Sequence, residues 1–122
     1  TGYTPTPLDR FGRINKKLTK ASLGAEQFLS WEVVSTISAL FKKLKSQNYD
    51  LVALEQAVNS TNYKKIKPKG KIAIIVGNEV NGLEKSILNK VDIIAEIPMS
   101  GRKESLNVSV AFGIFVFSLL EH

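Results

Sequence analysis

At 122 residues, 43% of them hydrophobic and none of them cysteine, the chain can bury one sizeable core, and it has neither a disulfide framework nor a thiolate metal site. Its single histidine is the terminal residue, which argues against imidazole catalysis and multi-His coordination, so no metal is expected. The formal charge of +6 is uneven: residues 1–70 carry twelve Lys/Arg against five Asp/Glu, residues 71–122 five against six. Such a basic N-terminal part suits a polyanion such as RNA, or equally an ordinary solvated face.

In chain order, Gly2-Tyr3-Thr4 reads as the tail of a strand whose beginning is absent, so the chain is expected to be part of a longer domain. Thr4-Pro5-Thr6-Pro7 is a stiff extended stretch, and residues 9–20 are polar and basic with little helical periodicity, which predicts a loop. Residues 28–33 form a short candidate strand. Ser35 is placed to cap a helix whose apolar positions Ile37, Leu40, Phe41 and Leu44 follow the i, i+3, i+4, i+7 pattern to about residue 47.

Residues 49–54 form a second strand, and residues 59–70 a polar connector bearing Lys64, Lys65, Lys67 and Lys69. The β-branched run 71–76 has the pattern of a strand covered on both faces, which predicts a central position. A short helix over 83–89, a strand over 92–97 and a helix over 106–121 complete the series. The last is apolar nearly all round and needs cover on several sides. The alternation predicts an α/β domain with a mainly parallel sheet flanked by helices, its ligands at the carboxyl ends of the strands. No segment resembles a secretory signal, and the apolar stretch 108–120 is too short to span a bilayer, so a cytoplasmic protein without a membrane partner is expected.

Two strand ends carry the motifs. After Ile75-Val76 comes Gly77-Asn78-Glu79-Val80-Asn81-Gly82-Leu83, in which Gly77 permits close backbone approach to a ligand and Asn81-Gly82 tolerate positive φ. Taken alone it reads as a strand-to-helix turn with an exposed Glu79 rather than a site, and it matches neither GxxxxGK[ST] nor GxGxxG. After Ile97 comes Pro98-Met99-Ser100-Gly101-Arg102-Lys103-Glu104-Ser105-Leu106-Asn107, a helix start with Ser105 as N-cap and Asn107 on the first turn. Ser105 is not read as a nucleophile, because no internal histidine exists to act as its base.

Together these segments, with Val108-Ser109-Val110-Ala111 following, resemble the second and third motifs of the SpoU/TrmH family of RNA ribose 2′-O-methyltransferases in the SPOUT superfamily. Lys20-Ala21-Ser22-Leu23-Gly24-Ala25-Glu26 and Leu51-Val52-Ala53-Leu54-Glu55 also resemble family segments, so the likeness covers nearly the whole chain. The resemblance implies a deep C-terminal trefoil knot, which topology rules alone would exclude. It also implies an S-adenosylmethionine pocket formed by the two motif loops. Carried over by position, Gly77, Ile97, Leu106 and Leu54 are the cofactor residues; Glu79, Ser105 and Asn107 are the polar residues of the catalytic centre.

The implied reaction is attack of a ribose 2′-hydroxyl on the sulfonium methyl, in tRNA or rRNA, by a homodimer that uses the C-terminal helix at its interface. Residues 1–122 would then be one methyltransferase domain lacking the N-terminal strand-helix unit. The family's Asn/Arg first motif, which removes the hydroxyl proton, belongs to that unit, so the fragment is expected to be inactive. Arg10, Arg13, Lys16, Lys17 and Lys20 are the candidate RNA-phosphate contacts, or a solvated loop. Two other readings stay open: a non-catalytic RNA-binding or assembly module on the same fold, and an unrelated nucleotide-binding α/β domain.

Overall fold

The computed structural model describes residues 4–102 and 104–121. The expected strand tail at Gly2-Tyr3, the cation Lys103 and the terminal His122 lie outside the described residues. The chain divides into two compact units, residues 1–40 and 41–122.

In the first unit a helix, α1 (Lys16–Ser22), stands where a loop over 9–20 was expected. Only Leu18 and Ala21 are apolar within it, too few for a periodic signal. The start is set by Asn15, whose side chain accepts the Leu18 amide at 3.3 Å. The helix stops where Leu23 and Gly24 turn left-handed, at φ 53° and 84°. The apolar run 28–33 forms no strand; Phe28, Leu29, Trp31 and Val33 are exposed. Strand propensity needs a ladder partner, and this run has none among the described residues. The next helix, α2 (Ile37–Ser46), is capped one residue later than expected, by Thr36, whose Oγ1 accepts the Ala39 amide at 3.2 Å.

The second unit is a four-stranded sheet of β1 (Tyr49–Leu54), β2 (Thr61–Asn62), β3 (Lys71–Val76) and β4 (Ile93–Glu96), in the order β2-β4-β1-β3 with every pairing parallel. This bears out the α/β class with a parallel sheet. The central strands are β1 and β4, and Leu51, Val52 and Ala53 of β1 are fully buried. The strand expected at the centre, β3, is instead at the sheet's end and only half-buried. A β-branched run reports cover on the faces of a strand, not hydrogen-bonded neighbours on both edges. The connector at residues 59–70 contributes β2 and a 3-10 turn, Tyr63–Lys65.

Short α3 (Lys85–Leu88) precedes β4, and α4 (Val108–Leu120) closes the unit. Phe115 of α4 is fully buried in a core with Val52, Ile66 and Ala95, against which Ile72, Ile74 and Leu119 pack. Burial of a side chain of this kind contributes about 2–3 kcal/mol. Other faces of α4 stay open: Phe117 is 71% and Leu120 75% exposed.

Asp92 ties the entry of β4 to β1. Its Oδ2 accepts the Leu51 amide at 2.7 Å, its own amide donates to the Leu51 carbonyl at 2.9 Å, and Lys45 of α2 pairs with its carboxylate. Burial pushes the Asp92 carboxyl up, but the Lys45 hydrogen bond, the Leu51 amide and the Lys45 charge together outweigh it and hold the group below its ordinary 3.8. A depressed carboxyl stabilises the fold above its unfolded pKa, and that stability is lost as pH falls through the folded value. Because the side chain is 35% exposed, screening limits the effect to about 1 kcal/mol. Asp92→Asn should therefore lower Tm near neutral pH by about 4 °C. Thermal melts in acid below the folded value should show the two proteins converging.

Candidate functional site

Because β1, β3 and β4 run parallel, their carboxyl ends lie at one edge of the sheet, and each passes directly into a loop of the site. The loop after β3 is a narrow turn organised by Asn78. Its Oδ1 accepts the amides of Val80 and Asn81 at 2.9 and 2.7 Å, and its carbonyl accepts the Gly82 amide at 3.1 Å. Positive φ falls on Gly82 alone in this loop (61°), so the tolerance expected of Asn81 is unused and Asn78 does the turning.

Gly77 is required for a different reason from the one the sequence suggests. A Cβ there would lie 2.3 Å from the Gly82 carbonyl carbon, 2.6 Å from its oxygen and 2.7 Å from the Leu83 nitrogen. The space a side chain would need is taken by the loop's own returning backbone. A second tie fixes the same crossing: Glu55, just past β1, accepts the Leu83 amide on Oε2 at 3.0 Å and the Gln56 amide on Oε1 at 3.0 Å. The Glu55 amide donates to the Ala95 carbonyl of β4 at 2.9 Å, so this one residue joins all three strand ends. No side-chain function was expected of Glu55. The usable signal was a carboxylate directly after a buried strand, where free loop amides gather.

On the third loop the N-cap of α4 is Asn107, not Ser105. Asn107 Oδ1 accepts the Ser109 amide at 2.9 Å, while Ser105 is exposed before the helix begins. The cap lies two residues later than expected because the helix itself starts at Val108. The other end of the Asn107 amide reaches across to the β3 loop and donates to Glu79 Oε1 at 3.3 Å. Both motifs are therefore joined by a side-chain hydrogen bond.

Between the loops lies a cavity of about 870 Å³, within the common range for small-molecule sites. Leu54, Gly77, Glu79, Ile97, Ser105, Leu106 and Asn107, the seven residues carried over by position, all line it. Leu54, Ile97, Leu106, Val108 and Ala111 give it apolar wall; Glu55, Glu79 and Lys85 are its charged side chains among the described lining residues. The arrangement can hold a flat apolar group and, beside it, a ligand portion of positive charge. Arg10, Arg13, Lys16, Lys17 and Lys20 belong to the first unit: Arg10 and Arg13 on the turn before α1, the lysines within α1.

The family model described as SpoU rRNA Methylase matches residues 6–117. The chain is 34% identical over 111 residues to the 23S rRNA (guanosine-2′-O-)-methyltransferase RlmB of Xylella fastidiosa, covering 91% of this chain and 44% of that protein. It is 33% identical over 99 residues to a tRNA (guanosine(18)-2′-O)-methyltransferase of Borreliella burgdorferi, covering 81% of this chain and 45% of that protein. The chain thus spans about half the length of the curated relatives it matches. An AdoMet-bound rRNA methyltransferase from Sinorhizobium meliloti has the same fold, with a TM-score of 0.84 at 24% identity over 99% of this chain and 44% of that one.

Proposed function

The chain belongs to the SpoU rRNA methylase family, and on that premise we propose that it forms the S-adenosylmethionine-binding part of an enzyme methylating ribose 2′-hydroxyls in tRNA or rRNA. The observation that carries this reading is the convergence of all seven positions on one cavity at the carboxyl ends of parallel strands. The residues present fit the cofactor. The cavity is large enough, its apolar wall suits an adenine, and Glu55 and Glu79 outnumber Lys85, as suits a ligand carrying sulfonium and ammonium charges.

When bound, S-adenosylmethionine supplies an electrophilic methyl group on a sulfonium. In the proposed division of roles, Leu54, Ile97 and Leu106 enclose the adenine, and Gly77 lets the loop close beside it. Asn107, oriented by its cap bond and by Glu79, lines the reacting side of the cavity with Ser105, where these three side chains hold and align the ribose-phosphate backbone. No side chain here is assigned as the base that takes the hydroxyl proton; residues 1–122 are proposed to bind cofactor without turning over. Arg10, Arg13, Lys16, Lys17 and Lys20 are proposed to contact RNA phosphates.

The trefoil knot belongs to the same reading and is supported by β4, the last strand in sequence, lying between β1 and β2, which are joined only by residues 55–60. A homodimer through α4 is supported by the open apolar side chains Val110, Phe112, Ile114, Phe117 and Leu120. A cytoplasmic location is part of the proposal; among the described residues no helix is long and apolar enough to cross a membrane.

Titration calorimetry with S-adenosylmethionine and, separately, ATP tests the cofactor assignment on this chain. Binding of the former at roughly micromolar Kd with no heat from ATP is the expected result. Equal binding of ATP, or no binding of S-adenosylmethionine, would overturn it.

A further inference from the structure

Leu8 to Asn15 fold into a tight turn whose tip is Arg10-Phe11-Gly12-Arg13. Leu8 and Ile14 pair antiparallel, and the Asn15 amide donates to the Pro7 carbonyl at 2.8 Å. Asp9 builds the tip: its Oδ1 accepts the amides of Phe11 and Arg13 at 2.8 and 2.9 Å, and its Oδ2 accepts Arg13 Nε at 2.8 Å. Gly12, at φ 75°, makes the reversal. The tip therefore holds a defined shape by its own hydrogen bonds.

The tip displays an open aromatic ring beside two cations. Phe11 is 66% exposed, and the guanidinium carbons of Arg10 and Arg13 stand 4.7 and 5.0 Å from its ring centroid. The guanidiniums stabilise the ring by about 0.5–1 kcal/mol at such an exposed site, and most of its surface stays open to water. The Asp9 carboxylate of the same turn is already engaged by Arg13 and by two amides, while Lys16, Lys17 and Lys20 follow directly on α1. The surface is thus cationic with an aromatic face at its centre. That chemistry complements an unpaired nucleotide: the ring offers a stacking face to a base, and the guanidiniums offer fork-shaped donors to the flanking phosphates. Duplex RNA, whose bases are already stacked, would use only the cations.

We propose that the Asp9-ordered tip is a single-stranded RNA contact, in which Phe11 stacks on one unpaired base between phosphates held by Arg10 and Arg13. The assignment rests on the reading of the protein as an RNA methyltransferase but sharpens it. The enzyme would select a loop or a splayed-out nucleotide rather than a continuous helix, and Phe11 would supply that selectivity.

The test is fluorescence anisotropy with a labelled single-stranded oligoribonucleotide and with the same sequence as a duplex, on the wild-type chain and on Phe11→Ala, Phe11→Leu, Phe11→Trp and Arg10→Ala. Phe11→Ala and Phe11→Leu should each lose about tenfold in single-strand affinity, with duplex affinity and salt dependence unchanged, and Phe11→Trp should restore the loss. Arg10→Ala should weaken both RNAs and reduce the salt slope by about one. Equal losses on both RNAs for Phe11→Ala, retention of affinity in Phe11→Leu, or no RNA binding by the wild-type chain would overturn the proposal. So would a Phe11→Ala defect confined to an acidic peptide. S-adenosylmethionine calorimetry on the same variants separates the two failures: intact cofactor binding leaves the methyltransferase reading standing when the RNA result fails.

Discussion

Gly77→Ala is expected to cost about 10- to 100-fold in S-adenosylmethionine affinity, although it adds only one methyl group to the cavity wall. The added carbon would sit 2.3 to 2.7 Å from three backbone atoms of Gly82 and Leu83, none of which can rotate away as a side-chain tip could. Relief requires the two legs of the loop to separate. Separation pulls the Leu83 amide from Glu55 and the Gly82 amide from Asn78, bonds now 3.0 and 3.1 Å long. Overpacking of this kind costs about 1–3 kcal/mol, and here the strain falls on the segment that lines the site. Gly70→Ala is the matched control, since a Cβ there meets nothing within 4 Å and its φ is not left-handed. It should bind cofactor as the wild type does. Calorimetry on the two variants decides the matter: wild-type affinity in Gly77→Ala would mean that the crossing of the loop legs does not shape the site.

The role of Gly77 also marks the limit of what its sequence context could tell. That a glycine was needed at the end of β3 was legible; that its space is filled by chain five residues on, rather than by ligand, was not, because contacts between loop legs leave no periodicity. The strands of the sheet followed from short apolar runs, and β1, β3 and β4 lie within a residue of the expected bounds, whereas the run 28–33 has no ladder partner among the described residues and forms no strand. Their lateral order was hidden, because pairing depends on partners far along the chain. Hence β3 was expected at the centre and lies at the sheet's end. Short polar helices such as α1 are fixed by a single cap, Asn15, and disappear against a basic background. The site was legible through its two motifs only in combination, whereas Glu55, which holds three strand ends together, belongs to neither.

Asn107 carries the second large effect, and an aspartate separates its two tasks where alanine would confound them. Its Oδ1 caps α4 through the Ser109 amide and its Nδ2 donates to Glu79, so Asn107→Ala removes about 1 kcal/mol of capping along with the cross-loop bond. Asn107→Asp keeps the capping oxygen and places a negative charge at the helix N-terminus, where it is favourable by about 0.3–1 kcal/mol. It also replaces the donor facing Glu79 with a second carboxylate, turning an attraction into repulsion. Melting temperature should therefore stay within about 2 °C of wild type. On the proposed function, ribose methylation by the complete enzyme, mapped by mass spectrometry, should fall at least about tenfold, equivalent to loss of one charge-assisted hydrogen bond. The double substitution Glu79→Gln with Asn107→Asp restores a donor and an acceptor with their positions exchanged. If the hydrogen bond between the motif loops is what matters, the pair should recover most of the loss, a coupling of about 1 kcal/mol or more in a double-mutant cycle. If the negative charge of Glu79 itself serves the reaction, the double variant should remain as impaired as Glu79→Gln alone. Methylation unchanged in Asn107→Asp would remove Asn107 from the catalytic centre and leave it a helix cap.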